Sequence, residues 1–213
     1  MVDNKNNYCT FYLVRHGETE WNQQRILQGQ KDSLLTDKGV KQARKLISFF
    51  QNIKFDQVYS SDLIRAEKTA QIMAMEKNIA VNTTKLLRER CFADYEGKSY
   101  QILREKLKDQ IKLRDKLSQE QRFKFRLAKG IETDEEVMSR FITFLRQKAL
   151  VYPNKKILIV THGGVMRTFL VHLGFAKHSQ LPPGSIKNTG YIMVDSDGVD
   201  FFIKQTFGIK LKN

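Results

Sequence analysis

The chain has 213 residues, 41% hydrophobic and 28% charged, the size and balance of one soluble α/β domain with a full core and no need of a second. No apolar stretch approaches the roughly 18–20 residues of a membrane span, residues 1–7 carry no apolar signal core, and two cysteines, Cys9 and Cys91, are too few for a disulfide framework or a zinc site, so a cytoplasmic protein is expected. The net charge of +14 draws in anions of many kinds, from phosphoesters to nucleic acid and acidic membranes, but lysine is spread throughout and the charge discriminates poorly among functions.

In chain order, Phe11-Tyr-Leu-Val14 reads as a buried strand that stops abruptly at Arg15-His16-Gly17. A polar loop follows, and Leu34-Leu35-Thr36-Asp37-Lys38-Gly39 opens a helix with Thr36 as N-cap. Val40, Ala43, Leu46, Ile47 and Phe50 then recur at helical spacing. Phe55–Ser60 is a short strand, after which Ser61 or Asp62 caps a helix bearing Leu63, Ala66, Ala70 and Met73. An extended piece around Ile79–Val81 leads to Arg88-Glu89-Arg90. Residues 133–150 form an amphipathic helix with Val137, Phe141, Phe144, Leu145 and Ala149 on one side. Lys156-Ile-Leu-Ile-Val-Thr161 is a second strand running into His162-Gly163-Gly164, and a helix rich in Val165, Met166, Phe169 and Leu170 follows. After the Pro182-Pro183-Gly184 loop, Tyr191–Val194 and Val199–Ile203 read as a hairpin. Alternating strand and helix argue for a largely parallel α/β sheet.

Residues 98–129 stand apart, with 11 Lys or Arg against 4 Asp or Glu, no proline, and Leu103, Leu107 and Ile111 at i, i+4 spacing. They read as a helical excursion, either a lid over a pocket or a solvated helix pair. Aromatics able to stack bases are sparse there (Tyr100, Phe123, Phe125), which argues against nucleic acid.

Two strand ends carrying histidine and glycine suggest one pocket, because open α/β sheets bind ligands at the carboxyl ends of their strands. The histidines could be zinc ligands, a nucleophile with its partner, or core residues. Zinc would want a third ligand at recognisable spacing, and no such spacing exists; a serine hydrolase would want a G-x-S-x-G elbow, which is absent. Arg15 stands beside His16 and Arg65 is a second candidate cation. Guanidinium forks match phosphate oxygens, so the set fits phosphoryl transfer better than ester or peptide hydrolysis. Surrounding cations keep an imidazole neutral and nucleophilic and stabilise the charge on the transferring group. A departing alkoxide needs a proton, for which Glu89 is the first candidate and Glu18 the second.

Taken together, Leu13-Val-Arg-His-Gly-Glu-Thr-Glu-Trp-Asn22, Gln28-Gly29, the Ser61–Ala70 segment, Arg88–Gly97 and Val160–Arg167 occur in an order that resembles the histidine phosphatase superfamily, also called phosphoglycerate mutase-like. The resemblance implies a three-layer α/β/α sandwich, one domain over 1–213, with a mostly parallel sheet, a C-terminal hairpin and a helical lid inserted at about 98–130. It implies that His16 becomes phosphohistidine, that Arg15, Arg65 and His162 clamp the phosphoryl oxygens, and that Glu89 protonates the leaving group and then activates water. Asn22, Gln28, Gly29 and Gly163 would line the phosphate pocket, and the family's chemistry needs no metal or other cofactor. Ala93 departs from the family pattern, standing where glycine is common.

The short interval between Glu89 and His162 and the reading His-Gly-Gly-Val-Met-Arg resemble the compact phosphatase branch more than the glycolytic mutases. The expected substrate is a small phosphorylated metabolite, with no nucleic-acid or membrane partner and a homodimer as a candidate assembly. A phosphoglycerate mutase and an inactive phospho-ligand-binding or scaffold protein are the alternatives. His172 is expected to be packed or on the surface, His178 exposed in its loop, and Cys91 an inert thiol. Trp21 and Glu18 have packing or capping roles as ready alternatives to a place in the pocket.

Overall fold

Strand β1 (Cys9–Arg15) sends alternate side chains into two different apolar layers, as period-2 geometry requires. Cys9, Phe11 and Leu13 face one layer; Tyr12 and Val14 face the other. The computed structural model describes residues 7–75 and 77–212, so residues 1–6, part of the stretch read for a signal core, lie outside the described residues. With β2 (Gln57–Ser61), β3 (Val81–Thr84), β4 (Lys156–Thr161), β5 (Ile186–Ser196) and β6 (Phe201–Ile209), β1 forms a sheet of order β3-β2-β4-β1-β5-β6. The β3–β2, β2–β4 and β4–β1 pairs are parallel; β1–β5 and β5–β6 are antiparallel.

Helices α2 (Asp37–Phe49) and α3 (Ile64–Met75) cover one face, burying Leu46, Phe50, Ala66, Ala70 and Met73 with Leu158 and Val160 of β4. Helices α7 (Asp134–Val151) and α8 (Gly163–His172) cover the other, burying Val137, Phe141, Leu145, Val165 and Phe169 with Ile157 and Ile159. This is the expected three-layer α/β/α sandwich. Thr36 caps α2 by accepting from the Gly39 amide at 3.0 Å, and Thr133 caps α7 in a capping box with Glu136.

Some details differ from the sequence reading. The hairpin strands are longer, β5 beginning at Ile186 and β6 running to Ile209, with an irregularity between Ile186 and Tyr191 where Thr189 takes φ +58°. The polar loop after β1 contains a one-turn helix α1 (Glu20–Gln23), made by a capping box between Thr19 and Asn22. The start of α3 is held partly from a distance: Ser61 Oγ accepts from the Leu63 amide at 3.3 Å and the Ile64 amide donates to Asp32 Oδ2 at 3.0 Å, while Asp62 is drawn away to Arg88.

The basic excursion folds as α4 (Tyr100–Lys106), α5 (Lys108–Asp115) and α6 (Gln119–Lys124). Leu103 and Leu107 bury against Ile131, with Leu27, Phe92 and Tyr95 packed around them. The excursion thus rests on the segment that follows Glu89. Its far end meets α8, where Phe123 stacks on His172 at 5.4 Å and Gln119 Nε2 donates to the Val171 carbonyl.

Candidate active site

The parallel register of β1 and β4 pairs Arg15 with Thr161, so the next residue of each strand, His16 and His162, leaves the sheet side by side. The His16 amide donates to the Thr161 carbonyl at 3.0 Å, and the ring centroids lie 5.2 Å apart. Both imidazoles are buried. His16 Nδ1 lies 2.7 Å from the Gly17 carbonyl oxygen. A carbonyl can only accept, so Nδ1 carries the proton and Nε2 keeps its lone pair. Burial, followed by the charges of Arg65 and Arg15, holds His16 well below the ordinary histidine value of 6.5, against a smaller opposing effect of the Gly17 bond. His162 is lowered in the same way, by burial, Arg65 and His16. The neutral imidazole expected from nearby cations is therefore owed first to burial.

Arg15, at the end of β1, donates from Nη1 to the Ile186 carbonyl at 2.5 Å. Arg65, one residue into α3, is almost fully buried and holds the loop before it: Nη1 donates to the Lys31 carbonyl and Asp32, and Nη2 to the Gly29 carbonyl at 2.6 Å. Burial brings Arg15 down to about 10, still cationic at neutral pH. Arg15 Nε, Arg65 Nε, both ring nitrogens of His162 and Gln28 Oε1 are buried without a hydrogen-bond partner in the protein. Arg15 Nε, Arg65 Nε and the one N–H of a neutral His162 are three open donors suited to an anion, since unpaired buried polar groups are costly unless a ligand completes them.

Glu89 reaches this place from the segment between β3 and the excursion. Its carboxylate accepts from the Arg90 amide and the Gly164 amide, each at 2.8 Å. A Cβ on residue 164 would lie 2.4 Å from Glu89 Oε1, so glycine is needed there for the carboxylate to approach the amino end of α8. The flanking arginines do not pair with it. Arg88 forms a two-pronged pair with Asp62, both contacts 2.7 Å, and Arg90 pairs with Asp134.

The pocket-lining candidates have more specific places. Asn22 closes the capping box of α1 and accepts from Asn188 Nδ2, which also donates to the His16 carbonyl. Gln28 donates to Thr19 at 2.8 Å. Gly29, at φ +55°, gives its carbonyl to Arg65, and a Cβ there would lie 2.1 Å from Glu96 Oε1. Gly163 is the first residue of α8, against the Arg15 side chain. Glu18 is not in the set: it is taken by Lys38 at 2.8 Å and by Thr36 at the start of α2. His178 is also unlike its expectation. Its side chain is about 10% exposed and Nε2 meets Asp134 Oδ2 at 3.2 Å, because the loop after α8 folds back over the start of α7. Asp134, Thr168, His172 and His178 line a separate cavity of about 370 Å³.

Sequence reasoning passed over Glu96, Asn188, Glu132 and Arg140. Glu96 is buried and accepts from the Gln30 and Phe92 amides, joining the Gly29 loop to the Glu89 segment. Ala93 takes φ +50°, the left-handed conformation glycine would favour, so the alanine keeps the glycine-type turn at some strain. Among the described residues, no three His, Cys, Asp or Glu side chains gather as metal ligands would.

Residues 11–207 match the family described as "Histidine phosphatase superfamily (branch 1)". Phosphoglycerate mutase-like protein 4 of Arabidopsis thaliana is 35% identical over 76% of this chain and 70% of its own. The broad-specificity phosphatase YOR283W of Saccharomyces cerevisiae is 29% identical over 94% of this chain and 86% of its own. Among solved structures, YhfR of Bacillus stearothermophilus superposes with a TM-score of 0.79 at 27% identity, covering 92% of this chain and 95% of that one. The chain belongs to branch 1 of the histidine phosphatase superfamily and is an enzyme of the phosphatase kind.

Proposed function

We propose that this protein is a metal-independent phosphomonoesterase that hydrolyses small phosphorylated metabolites through a phosphohistidine on His16. The observation that carries the reading is the Nδ1–H of His16 donating to Gly17, which aims a neutral Nε2 lone pair among buried cations. In the first step Nε2 attacks phosphorus, the bond to the leaving oxygen breaks, and that oxygen takes a proton from Glu89. In the second step water attacks the phosphohistidine, gives its proton to Glu89, and inorganic phosphate leaves with the nitrogen restored. Arg15 Nε, Arg65 Nε and the His162 ring hold the equatorial oxygens through both steps, where the charge is spread. Asn22, Gln28, Gly29 and Gly163 shape the surrounding wall, and the α4–α6 excursion acts as the lid.

The protein works on dissolved substrates in the cytoplasm, without nucleic-acid or membrane partners and with a homodimer as its candidate assembly. The phosphatase names of its relatives support the phosphorylated small-molecule substrate in this reading.

The test is release of inorganic phosphate from p-nitrophenyl phosphate with EDTA present, for wild type and His16→Ala. Wild type should turn over at an undiminished rate, and the variant should lose at least about a thousandfold together with the acid-labile phospho-enzyme. Full activity in His16→Ala removes the mechanism. Primer-dependent interconversion of 2- and 3-phosphoglycerate without net hydrolysis would give the site to a mutase, and no turnover in either protein would leave a binding module.

A further inference from the structure

The guanidinium of Arg140, on α7, sits behind Glu89 with each of its five N–H groups assigned. Nη1 donates to the carbonyls of Leu86 (3.0 Å) and Arg88 (2.6 Å), and Nη2 to the carbonyl of Glu89 (3.1 Å). Nε and the remaining Nη2 proton go to the two carboxylate oxygens of Glu132, both at 3.0 Å. Glu132 in turn accepts from the Cys91 amide at 2.8 Å, and its own amide donates to the Cys91 carbonyl at 3.1 Å. Lys85–Leu87 make a single 3-10 turn and residues 88–92 have no regular secondary structure, so these bonds replace the ladder that would otherwise fix the Glu89 backbone.

We infer that Arg140, braced by Glu132, is a positioning residue for proton transfer: it sets the backbone on which Glu89 is aimed at the leaving oxygen. The inference rests on the reading of Glu89 as the acid. All five N–H groups of Arg140 are taken by Leu86, Arg88, Glu89 and Glu132, so none is left for the phosphate. Arg140 acts through three carbonyls that converge on one planar fork, a pattern lysine cannot reproduce with a single ammonium. Its charge also reaches His162, helping to keep that imidazole neutral, but that effect is felt by every substrate equally. The aim of Glu89 is not: a nitrophenolate departs without a proton, whereas an alkoxide needs one.

The experiment compares kcat/KM for p-nitrophenyl phosphate and for 2-glycerol phosphate in Arg140→Met, Arg140→Lys, Glu132→Gln and Glu89→Gln, each with its thermal midpoint. Arg140→Met should lower the rate on 2-glycerol phosphate about tenfold to a hundredfold, as misplacement of a catalytic group does, with the loss in kcat. On p-nitrophenyl phosphate it should lose less than about threefold, since that leaving group bypasses the acid. Arg140→Lys should fall between, and Glu132→Gln should follow Arg140→Met more weakly; these two carry the test if Arg140→Met does not fold. Equal losses on the two substrates, or none, while Glu89→Gln discriminates between them, would overturn the positioning role alone. If Glu89→Gln also fails to discriminate, the acid reading itself is wrong and the inference goes with it.

Discussion

Two clusters in this molecule are made of the same materials and behave oppositely. At the strand ends, Arg15, Arg65, His16 and His162 surround a space, and several of their nitrogens have no partner. Beneath the loop after α8, Arg90, Asp134 and His178 are closed on one another: Arg90 donates to Asp134, to the Glu132 carbonyl and to Thr168, and Asp134 meets His178. One ring atom there, His178 Nδ1, stays open. The first cluster keeps donors available at a cost in stability, while the second uses its charged pair and three guanidinium bonds to tie α7, α8 and the Glu89 segment together. Residue types alone cannot separate a site from a strut; the state of their hydrogen bonds can.

The largest effect expected from this contrast is on stability. Asp134→Ala strands Arg90 in a buried position, a loss worth about 3–5 kcal/mol for a broken buried pair. Urea titration should show that drop, and a cost under about 1 kcal/mol, the range of exposed pairs, would mean the second cluster is no strut.

Acid separates the histidines from the Asp134 carboxylate by window, and His178, itself lowered by burial, falls on the histidines' side. His16 and His162 are lowered in the folded protein, so the unfolded chain binds more protons as pH falls below 6.5. Their contribution is present above 6.5 and is lost as pH falls from there toward their folded values. At Asp134, burial opposes the charge, yet the His178 hydrogen bond and Arg90 hold the carboxyl well below its usual 3.8; that contribution persists above 3.8 and is lost only at still lower pH. Thermal midpoints from pH 7 to 5 should therefore decline, and His162→Gln should flatten the decline. An unchanged slope in His162→Gln would place the proton uptake elsewhere.

The smallest effect concerns Ala93. Ala93→Gly relieves its φ of +50° and should stabilise the protein by up to about 1 kcal/mol, partly offset by the greater freedom of glycine in the unfolded chain. A fall in thermal midpoint would show that the Ala93 methyl, packed near Gly130, matters more than the strain.

The open cluster was legible in the sequence because three of its members, Arg15, His16 and His162, stand at strand ends, and Arg65 opens the helix after β2. An apolar run closing on Arg15-His16-Gly17, repeated at His162-Gly163-Gly164, announces both the element and its chemistry. The struts were not legible. Arg140 and Asn188 act on carbonyl oxygens, which every residue carries, so nothing in the partner's identity advertises the contact. His178 misleads for a related reason: its neighbours in sequence are polar, and only the return of the chain over Asp134 buries it. Glu18 sits between a motif histidine and Thr36, and its capture by Lys38 depends on how α2 approaches β1.

The strand order has a consequence for the birth of the enzyme. β4 lies between β2 and β1, so it is inserted late into a gap flanked by strands made much earlier. Until synthesis passes β4, His16 has no Thr161 carbonyl to receive its amide, and the cationic pocket has no second wall. A nascent chain that already carries Arg15, His16, Arg65 and Glu89 therefore still lacks His162, and until β5 follows it also lacks the Ile186 carbonyl that takes Arg15 and the Asn188 side-chain amide that holds the His16 carbonyl, so the pocket is completed by long-range pairings of the kind that slow folding. Appearance of activity during refolding would time the completion of the pocket by β4 and β5 together.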